Sequence, residues 1–298
     1  MAYYRRLRIP DRIEILEDSL RHSTLIFSTT LAVSAFVGIG ASSAADLPAR
    51  TYPTKAPVMV EPVYNWSGWY VGGTAGYGFG SNDVHVDPLD AGAASRAEFT
   101  APVLRDKPKG FIGGVEAGWN QQVGQFVYGI EADISGANIR GSASSNVAVV
   151  NPIVFTTLNT DQQKLNWFGT FRGRVGVAVV DKSLIYATGG LAYGQVSLGT
   201  SAVEQGIDCT SGPAFCTTAN VQRWQAGWTV GAGWEYAFAS NWSAKIEYLY
   251  YDLGRSINTM TQTNGVPAIT FQGSAENRGN IVRAGLNYHF NAPVVARY

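Results

Sequence analysis

Residues 223–238, RWQAGWTVGAGWEYAF, alternate between two chemically opposite sets of side chains. Successive side chains point to opposite sides only in a β-strand, so the segment predicts one strand with two unlike faces. One face is apolar and aromatic: Trp224, Ala226, Trp228, Val230, Ala232, Trp234, Tyr236 and Phe238. The other face is small or polar: Gln225, Gly227, Thr229, Gly231, Gly233 and Glu235. A soluble sandwich would bury the aromatic face, whereas a transmembrane barrel turns it toward lipid, and the rest of the chain decides between them.

The N-terminus has the features of a secretory signal peptide. Residues 25–39, LIFSTTLAVSAFVGI, form an apolar run between Arg21 and the small residues at 41–45. A basic flank, a short apolar region and a small-residue cleavage site define such a peptide, and a membrane-spanning helix needs roughly 20 apolar residues. We therefore predict a signal peptide over residues 1–45, with an extended n-region and cleavage near Ala44 or Ala45.

Composition favours an all-β protein and argues against nucleic-acid binding. Lys+Arg and Asp+Glu each total 22, so there is no basic excess to attract nucleic acid. Charged residues make up only 15% of the chain, and its many short Gly- and aromatic-rich segments are typical of strands. No apolar run after the signal reaches the length of a transmembrane helix, so an exported membrane protein of this sequence would have to be a barrel.

Eight segments are predicted strands, and the connections between them alternate in length. A proline-rich stretch at 46–65 precedes them and is expected to form an extended periplasmic segment. The predicted strands are 66–80, 110–120, 125–137, 164–179, 184–198, 223–238, 242–253 and 280–290, and residues 291–298 are left as a C-terminal tail. The long connections are 81–109, 138–163, 199–222 and 254–279, and the short ones are 121–124, 180–183 and 239–241. Outer-membrane barrels have short periplasmic turns and long external loops, so we predict an all-β fold, an eight-stranded antiparallel up-and-down transmembrane β-barrel over residues 66–290.

Aromatic residues are predicted to form two girdles, one at each end of the strands. Those next to the short turns or the termini are Trp66, Trp119, Phe126, Phe238, Trp242, Tyr288 and Phe290, and those next to the long loops are Tyr77, Phe79, Phe111, Trp167, Trp224 and Tyr250. One strand, 184–198, lacks a clean alternation, because Leu184 and Tyr186 oppose Leu191 and Tyr193 in parity. A bulge near Gly189–Gly190 would reconcile them.

Charged residues on the inward parity come from six of the eight predicted strands. They are Glu116, Glu131, Asp133, Glu235, Glu247, Arg172, Arg174, Lys245 and Arg283. Side chains about fill an eight-stranded barrel, and an unpaired buried charge costs several kcal/mol, so these groups are predicted to pair with one another. We interpret the network as a polar core that stabilises the barrel. The alternative is a narrow or gated ion path lined by salt bridges.

Other motifs give weaker signals. Cys209 and Cys216 are the two cysteines, and in an exported chain the prediction is a disulfide, whereas two cysteines alone would make a poor metal site. The Gly-rich segments 72–80 and 227–234 lack the spacing of a nucleotide-binding loop and are expected to fit a crowded lumen. His85 and His289 fall at opposite ends of the predicted barrel, so no Ser/His/Asp set is expected to converge. No catalytic residue, cofactor or metal site is predicted.

Six segments together resemble a known family. They are 65–80, 111–134, 169–178, 184–194, 227–254 and 280–290, and they cover nearly all the predicted strands. These segments resemble the small outer-membrane β-barrel proteins of alphaproteobacteria, the outer-membrane immunogenic or porin-family proteins related in fold to the OmpA membrane domain. The resemblance implies eight strands, an outer-membrane location and surface-exposed loops, and it brings no catalytic residues. Such barrels commonly end on an aromatic residue, and here Phe290 and Tyr298 are both candidates for the assembly signal.

The patterns favour a barrel with a structural and surface-interaction role in the cell envelope, exposing four long loops. The alternative is a small porin that allows limited diffusion of small solutes. A soluble lipocalin-type barrel would need an apolar interior, which Glu131 and Arg172 contradict, and the few histidines argue against an enzyme. Expected partners are outer-membrane lipid, the barrel-assembly machinery during biogenesis and unidentified external ligands bound through the loops, but no nucleic acid.

Overall fold

The computed structural model describes residues 64–101, 103–151, 153–180, 182–206, 215–262 and 268–290. Its strands are β1 (Gly68–Phe79), β2 (Asn82–Pro88), β3 (Val103–Asp106), β4 (Lys109–Val123), β5 (Phe126–Asn151), β6 (Ile153–Val180), β7 (Ser183–Glu204), β8 (Cys216–Ala237), β9 (Trp242–Gln262) and β10 (Ile269–His289). A helical turn α1 (Ala91–Ala94) and a 3₁₀ turn (Ala97–Phe99) lie between β2 and β3. The predicted signal peptide, most of the proline-rich segment and the C-terminal tail lie outside the described residues. Within the described ranges, no helix is long and apolar enough to cross a membrane.

Eight of the described strands close into an antiparallel ring in the order β1-β4-β5-β6-β7-β8-β9-β10. Antiparallel pairing of β1 with β10, from Tyr70 opposite His289 to Phe79 opposite Asn280, closes the ring. The two short strands β2 and β3 lie between β1 and β4 in the chain and continue the sheet beyond the ring. β2 pairs with residues 271–275 of β10, and β3 pairs with β2. The predicted all-β class and the eight-stranded antiparallel barrel are confirmed.

The outer wall of the ring carries a belt of exposed apolar and aromatic side chains. In β8, Trp224, Trp228 and Trp234 are exposed while Thr229 and Glu235 on the opposite parity are buried. Large contiguous apolar patches face water only rarely, so the belt is the surface that lipid covers. We take the belt to run over all of β1 and over residues 167–179 of β6. The described residues that continue past Trp167 in β6 and past Trp224 in β8, toward the long connections, lie outside the membrane.

Trp66 was expected in the girdle, and this prediction is wrong. Its side chain is 0% exposed and lies inside the lower mouth of the ring, the end with the short turns. Its ring makes edge contacts with Tyr64 and His289, at centroid distances of 4.8 Å and 5.7 Å. Trp66 precedes the first residue of β1, so strand alternation does not govern the direction of its side chain.

The bulge expected near Gly189–Gly190 is also absent, and that prediction is wrong. The pairing of β7 runs through both glycines without a register shift, toward β6 and toward β8. Leu184 and Tyr186 point into the ring and are buried, whereas Leu191 on the other parity is exposed. The irregular pattern arises because apolar residues fill the lower end of the lumen, so the inward face is not uniformly polar.

The strands extend far into the four segments predicted to be long loops. Residues 138–163, for example, belong to β5 and β6 except near residue 152, and 81–109 contains β2 and β3. We call the described residues 81–101, 103–108, 138–151, 153–163, 198–206, 215–222, 255–262 and 268–278 the surface lobe. It has an apolar interior of its own, formed by Val84, Val86, Leu104, Leu198, Ala202, Phe215, Met260, Ile269 and Phe271. Polar residues on the outer parity dominate the composition of these segments, which is why they resemble loops in sequence.

Inward glycines leave room for the large side chains of the lumen. A Cβ at Gly72 would lie 2.6 Å from the Leu286 carbonyl oxygen and would overlap the Asn287 amide. A Cβ at the neighbouring Gly73, which points outward, would come no closer than 3.9 Å to the Gly114 carbonyl oxygen. Adjacent residues of one strand therefore differ in whether a methyl group fits.

We expect Gly72→Ala to destabilise the barrel by about 1–3 kcal/mol, because overpacking must displace β10. Gly73→Ala should stay within about 1 kcal/mol of the native chain, because only the intrinsic preference of the backbone changes. Urea unfolding of protein refolded into lipid vesicles measures both variants. Equal effects of the two substitutions would contradict the assignment of the two faces.

Candidate functional site: the charged barrel interior

Nine charged side chains meet inside the ring, and each is at most 4% exposed. They are Glu116 on β4, Glu131 and Asp133 on β5, Arg172 and Arg174 on β6, Glu235 on β8, Lys245 and Glu247 on β9, and Arg283 on β10. Strand alternation aims these residues into the lumen, because each is flanked by outward residues of the lipid-facing belt. The structure thus brings together all the charged residues that the sequence places on the inward parity.

Glu131 is the centre of this network. Its carboxylate accepts hydrogen bonds from Tyr70 Oη at 2.6 Å and from Lys245 Nζ at 3.1 Å, and it also pairs with Arg172. Arg174 and Arg283 approach the same carboxylate at 3.8 Å and 3.7 Å. One acid therefore contacts all four buried bases.

Two arginines link the remaining acids across the lumen. Arg172 contacts Glu247 at 2.9 Å and Asp133 at 3.2 Å, and Arg283 contacts the same two acids at 2.7 Å and 3.1 Å. Lys245 pairs with Glu116 at 2.6 Å. Strands on opposite sides of the ring are therefore connected through shared carboxylates as well as through the backbone ladder.

Glu235, the charged residue of the 223–238 strand, pairs with Arg174 of β6. It also accepts hydrogen bonds from Ser243 Oγ at 2.5 Å and from Asn287 Nδ2 at 3.1 Å. The Arg174 guanidinium stacks on the Tyr186 ring, 3.7 Å from its centroid. The inward charge of the 223–238 strand is therefore paired with a base of β6.

Ser243, His289 and Glu235 do converge, although the sequence suggested that no such set would. Ser243 Oγ lies 2.8 Å from His289 Nε2, and Glu235 Oε1 lies 3.3 Å from the same nitrogen. A catalytic triad needs the acid on the other ring nitrogen, so that Nε2 is left to take the proton of the nucleophile. Here both groups face Nε2, and all three side chains are fully buried, so the arrangement has the contacts of a polar core rather than of a nucleophile.

Apolar layers cover the network on both sides. Toward the lower mouth, Trp66, Val127, Leu184, Tyr186 and Ala237 form one buried cluster. Toward the surface lobe, Ile112, Ile139, Leu165, Phe168, Val196, Leu249, Tyr251, Leu253 and Ile281 form another. A cavity beside this second cluster has a volume of about 20 Å³, room for about one water molecule. The charges therefore lie between two apolar layers.

Two buried acids in the surface lobe escaped the sequence reasoning. Asp106 and Asp161 are fully buried, and no side chain of the described residues donates a hydrogen bond to either of them. Burial raises the pKa of Asp106 to about 6, against the opposing effect of the backbone N–H groups of Lys107 and Gln163. Burial and the nearby Asp106 charge raise the pKa of Asp161 to about 7. Both lay in predicted loops, where no inward parity could be assigned.

The predicted disulfide falls partly outside the described residues. Cys216 begins β8 and carries no free thiol. Cys209, its predicted partner, belongs to the segment 207–214 that the structure does not describe. The pairing of these two cysteines stays a prediction.

A closed antiparallel ring with an apolar outer belt and a charged, inward-facing core is a transmembrane β-barrel. A family model described as the outer membrane protein beta-barrel domain matches residues 31–290. The chain belongs to this family, and its location is the outer membrane.

The chain has relatives in alphaproteobacteria, as the sequence resemblance implied. The chain is 37% identical over 239 residues to a 31 kDa outer-membrane immunogenic protein of Brucella melitensis, and this match covers 80% of the chain and 88% of the relative. It is 30% identical over 200 residues to a 22 kDa outer membrane protein of Rhizobium leguminosarum bv. viciae, which covers 66% and 68%. Among solved structures, the outer membrane protein OprG of Pseudomonas aeruginosa aligns with a TM-score of 0.46 at 10% identity, over 77% of this chain and 98% of that one.

Removing one base from the network should destabilise the barrel. Arg172→Ala and Arg283→Ala each leave Glu247 and Asp133 short of a cation, and breaking a buried pair in this way costs about 3–5 kcal/mol. We expect both variants to lose the heat-modifiable gel shift of the folded barrel at a lower temperature than the native chain.

The matched control is Arg105→Ala, which removes an exposed arginine that lies 3.0 Å from Asp83. Exposed pairs are worth about 0–1 kcal/mol, so this variant should unfold close to the native temperature. If Arg172→Ala and Arg283→Ala also unfold like the native chain, the network does not stabilise the barrel.

Asp106 and Asp161 should make stability depend on pH. Their pKa values are raised above the roughly 3.9 of an unfolded chain, so the native state holds more protons than the unfolded state between about pH 4 and 7. Their contribution to stability therefore decreases as pH rises through this range. Relative to the native chain, Asp161→Asn should gain stability between pH 5 and pH 8, by about 1–3 kcal/mol.

Urea unfolding of the two proteins at a series of pH values measures this gain. Asp83→Asn, which changes an exposed carboxylate of the surface lobe, is the control. A parallel profile for Asp161→Asn would show that the buried acid does not titrate in this range.

Proposed function

We propose that the protein is a closed barrel that stabilises the outer membrane and presents a structured surface lobe to the exterior. The observation that carries the proposal is the filled interior, where nine paired charges lie between two apolar layers. Ions crossing the lumen would have to displace both layers and break several buried ion pairs, each of which is expensive to break. This arrangement supports a structural role over a diffusion channel.

The shape of the lobe supports a role in surface interactions. Its apolar interior holds β2, β3 and the outer halves of β5 to β10 in a defined form, and a fixed surface loses less entropy on binding than a mobile loop. At the end of the β5–β6 hairpin, Val150 and Val154 lie directly opposite each other and are both exposed. This exposed apolar pair offers an apolar contact to an external protein surface.

We further propose that the protein has no catalytic activity. The Ser243, His289 and Glu235 contact lies in the fully buried interior, where a substrate has no access. His85 lies in β2, in the surface lobe, far along the chain from that group and on the opposite side of the membrane belt. The relatives are outer-membrane immunogenic proteins, which is consistent with this proposal.

Conductance in planar lipid bilayers tests the closed lumen. Native protein that shows the heat-modifiable shift should give no steady open channel in 1 M KCl, whereas a general porin inserted under the same conditions provides the positive control. Steady unitary conductance from the folded native chain would contradict the proposal and favour the small-porin alternative.

A further inference from the structure

Three cations lie directly opposite one another across adjacent strands on the outer wall. Lys109 of β4 pairs in register with Arg140 of β5, and Arg140 pairs with Lys164 of β6. All three side chains are exposed and share the outward parity. Directly opposite residues have Cβ atoms only about 4.5–5.5 Å apart, and like charges in that position repel. Such a row calls for an anion to neutralise it.

The described residues supply no such anion. None of these three cations forms an ion pair within the described ranges, although basic residues of the surface lobe do. Arg105 pairs with Asp83 at 3.0 Å, and Arg278 and Arg255 pair with Glu276 at 2.7 Å and 3.9 Å. The acids nearest in sequence, Asp106 and Asp161, are buried on the inner side of the wall.

The row lies at the height of lipid headgroups. Phe111 follows Lys109 by two residues on the same face and is 74% exposed, and Trp167, just below Lys164, is 47% exposed. Two residues of a strand span about 6.6 Å. Since aromatic rings of a barrel girdle sit at the membrane interface, the cations lie just above the girdle, on the side away from the short turns.

A groove of about 540 Å³ continues from this row across the next two strands. Its lining includes Arg140, Lys164, Asn166, Ser197, Asn220 and Gln222. Gly199 leaves the middle of the groove open, since the atoms nearest to a Cβ there would be 3.8 Å away or more. Guanidinium, ammonium, amide and hydroxyl groups all donate hydrogen bonds, which suits an oxyanion with several acceptor atoms.

We propose that this groove, together with Lys109, binds the anionic headgroup of an outer-leaflet lipid. Arg140 offers a planar donor pair that matches phosphate or carboxylate, and the two lysines add compact charges on either side. A lipid is favoured over a free anion because the apolar belt continues directly below, where Ile134 and Phe171 are exposed to take the acyl chains. The three cations would then be neutralised only when the barrel is in its membrane.

Native mass spectrometry of the full folded protein in detergent tests the proposal, with bis-phosphorylated lipid A as the probe and phosphatidylcholine as the reference lipid. The test variant is Lys109→Gln/Arg140→Gln/Lys164→Gln. The matched control, Arg105→Gln/Arg255→Gln/Arg278→Gln, removes three paired cations of the surface lobe. Because each of the three cations adds to the attraction for an anionic headgroup, the test variant should lose at least about tenfold in lipid A affinity.

The control should stay within about twofold of the native affinity, and neither variant should change phosphatidylcholine binding. Equal losses in both variants would show that net charge alone matters, and no loss in the test variant would also overturn the proposal. Inorganic phosphate that displaces lipid A at equal concentration would show a free-anion site instead of a lipid site. Both variants must show the native heat-modifiable shift, and if a triple variant fails to fold, Arg140→Gln against Arg278→Gln gives the same comparison.

Discussion

Charge neutralisation inside a narrow, dry ring is the constraint on which the structure depends. Glu131 contacts all four buried bases, and each of those bases reaches a second acid, so no charge of the network is left alone. A ring of eight strands has space for these side chains only where facing positions carry no side chain, as at Gly72. The polar inward side chains and the aromatic outward side chains therefore follow from one constraint: the barrel must hold a polar core while lipid, an apolar solvent, surrounds it.

Because the lumen is closed, we expect the protein to bind its partners through its outer surfaces. Two such surfaces differ in kind: the exposed apolar pair Val150 and Val154, and the basic row at Lys109, Arg140 and Lys164. The first faces the exterior and the second faces the headgroup layer. The unpaired row also shows that some charges of a barrel can be understood only together with the membrane that surrounds it.

Sequence alternation was sufficient to predict the membrane part of the fold. The two faces of the 223–238 strand and the inward charges follow from parity alone, because lipid and lumen impose opposite chemistry on neighbouring residues. The same reasoning missed the surface lobe, because its outward side chains contact water instead of lipid and because a buried apolar residue such as Met260 has polar neighbours in the sequence. It misplaced Trp66 because the chain is not yet a strand at that point, and it missed Asp106 and Asp161 because their burial depends on pairing between distant hairpins.

A double-mutant cycle between Arg174 and Glu235 tests most directly whether buried pairing stabilises the ring. Urea unfolding in lipid vesicles would be measured for the native chain, Arg174→Met, Glu235→Gln and the double variant. The account predicts that each single substitution leaves a buried charge uncompensated. It also predicts that the double variant loses less unfolding free energy than the two single variants added together, by at least about 1.5 kcal/mol. Additive effects, within about 0.5 kcal/mol, would show that the two charges do not stabilise each other and would contradict the account.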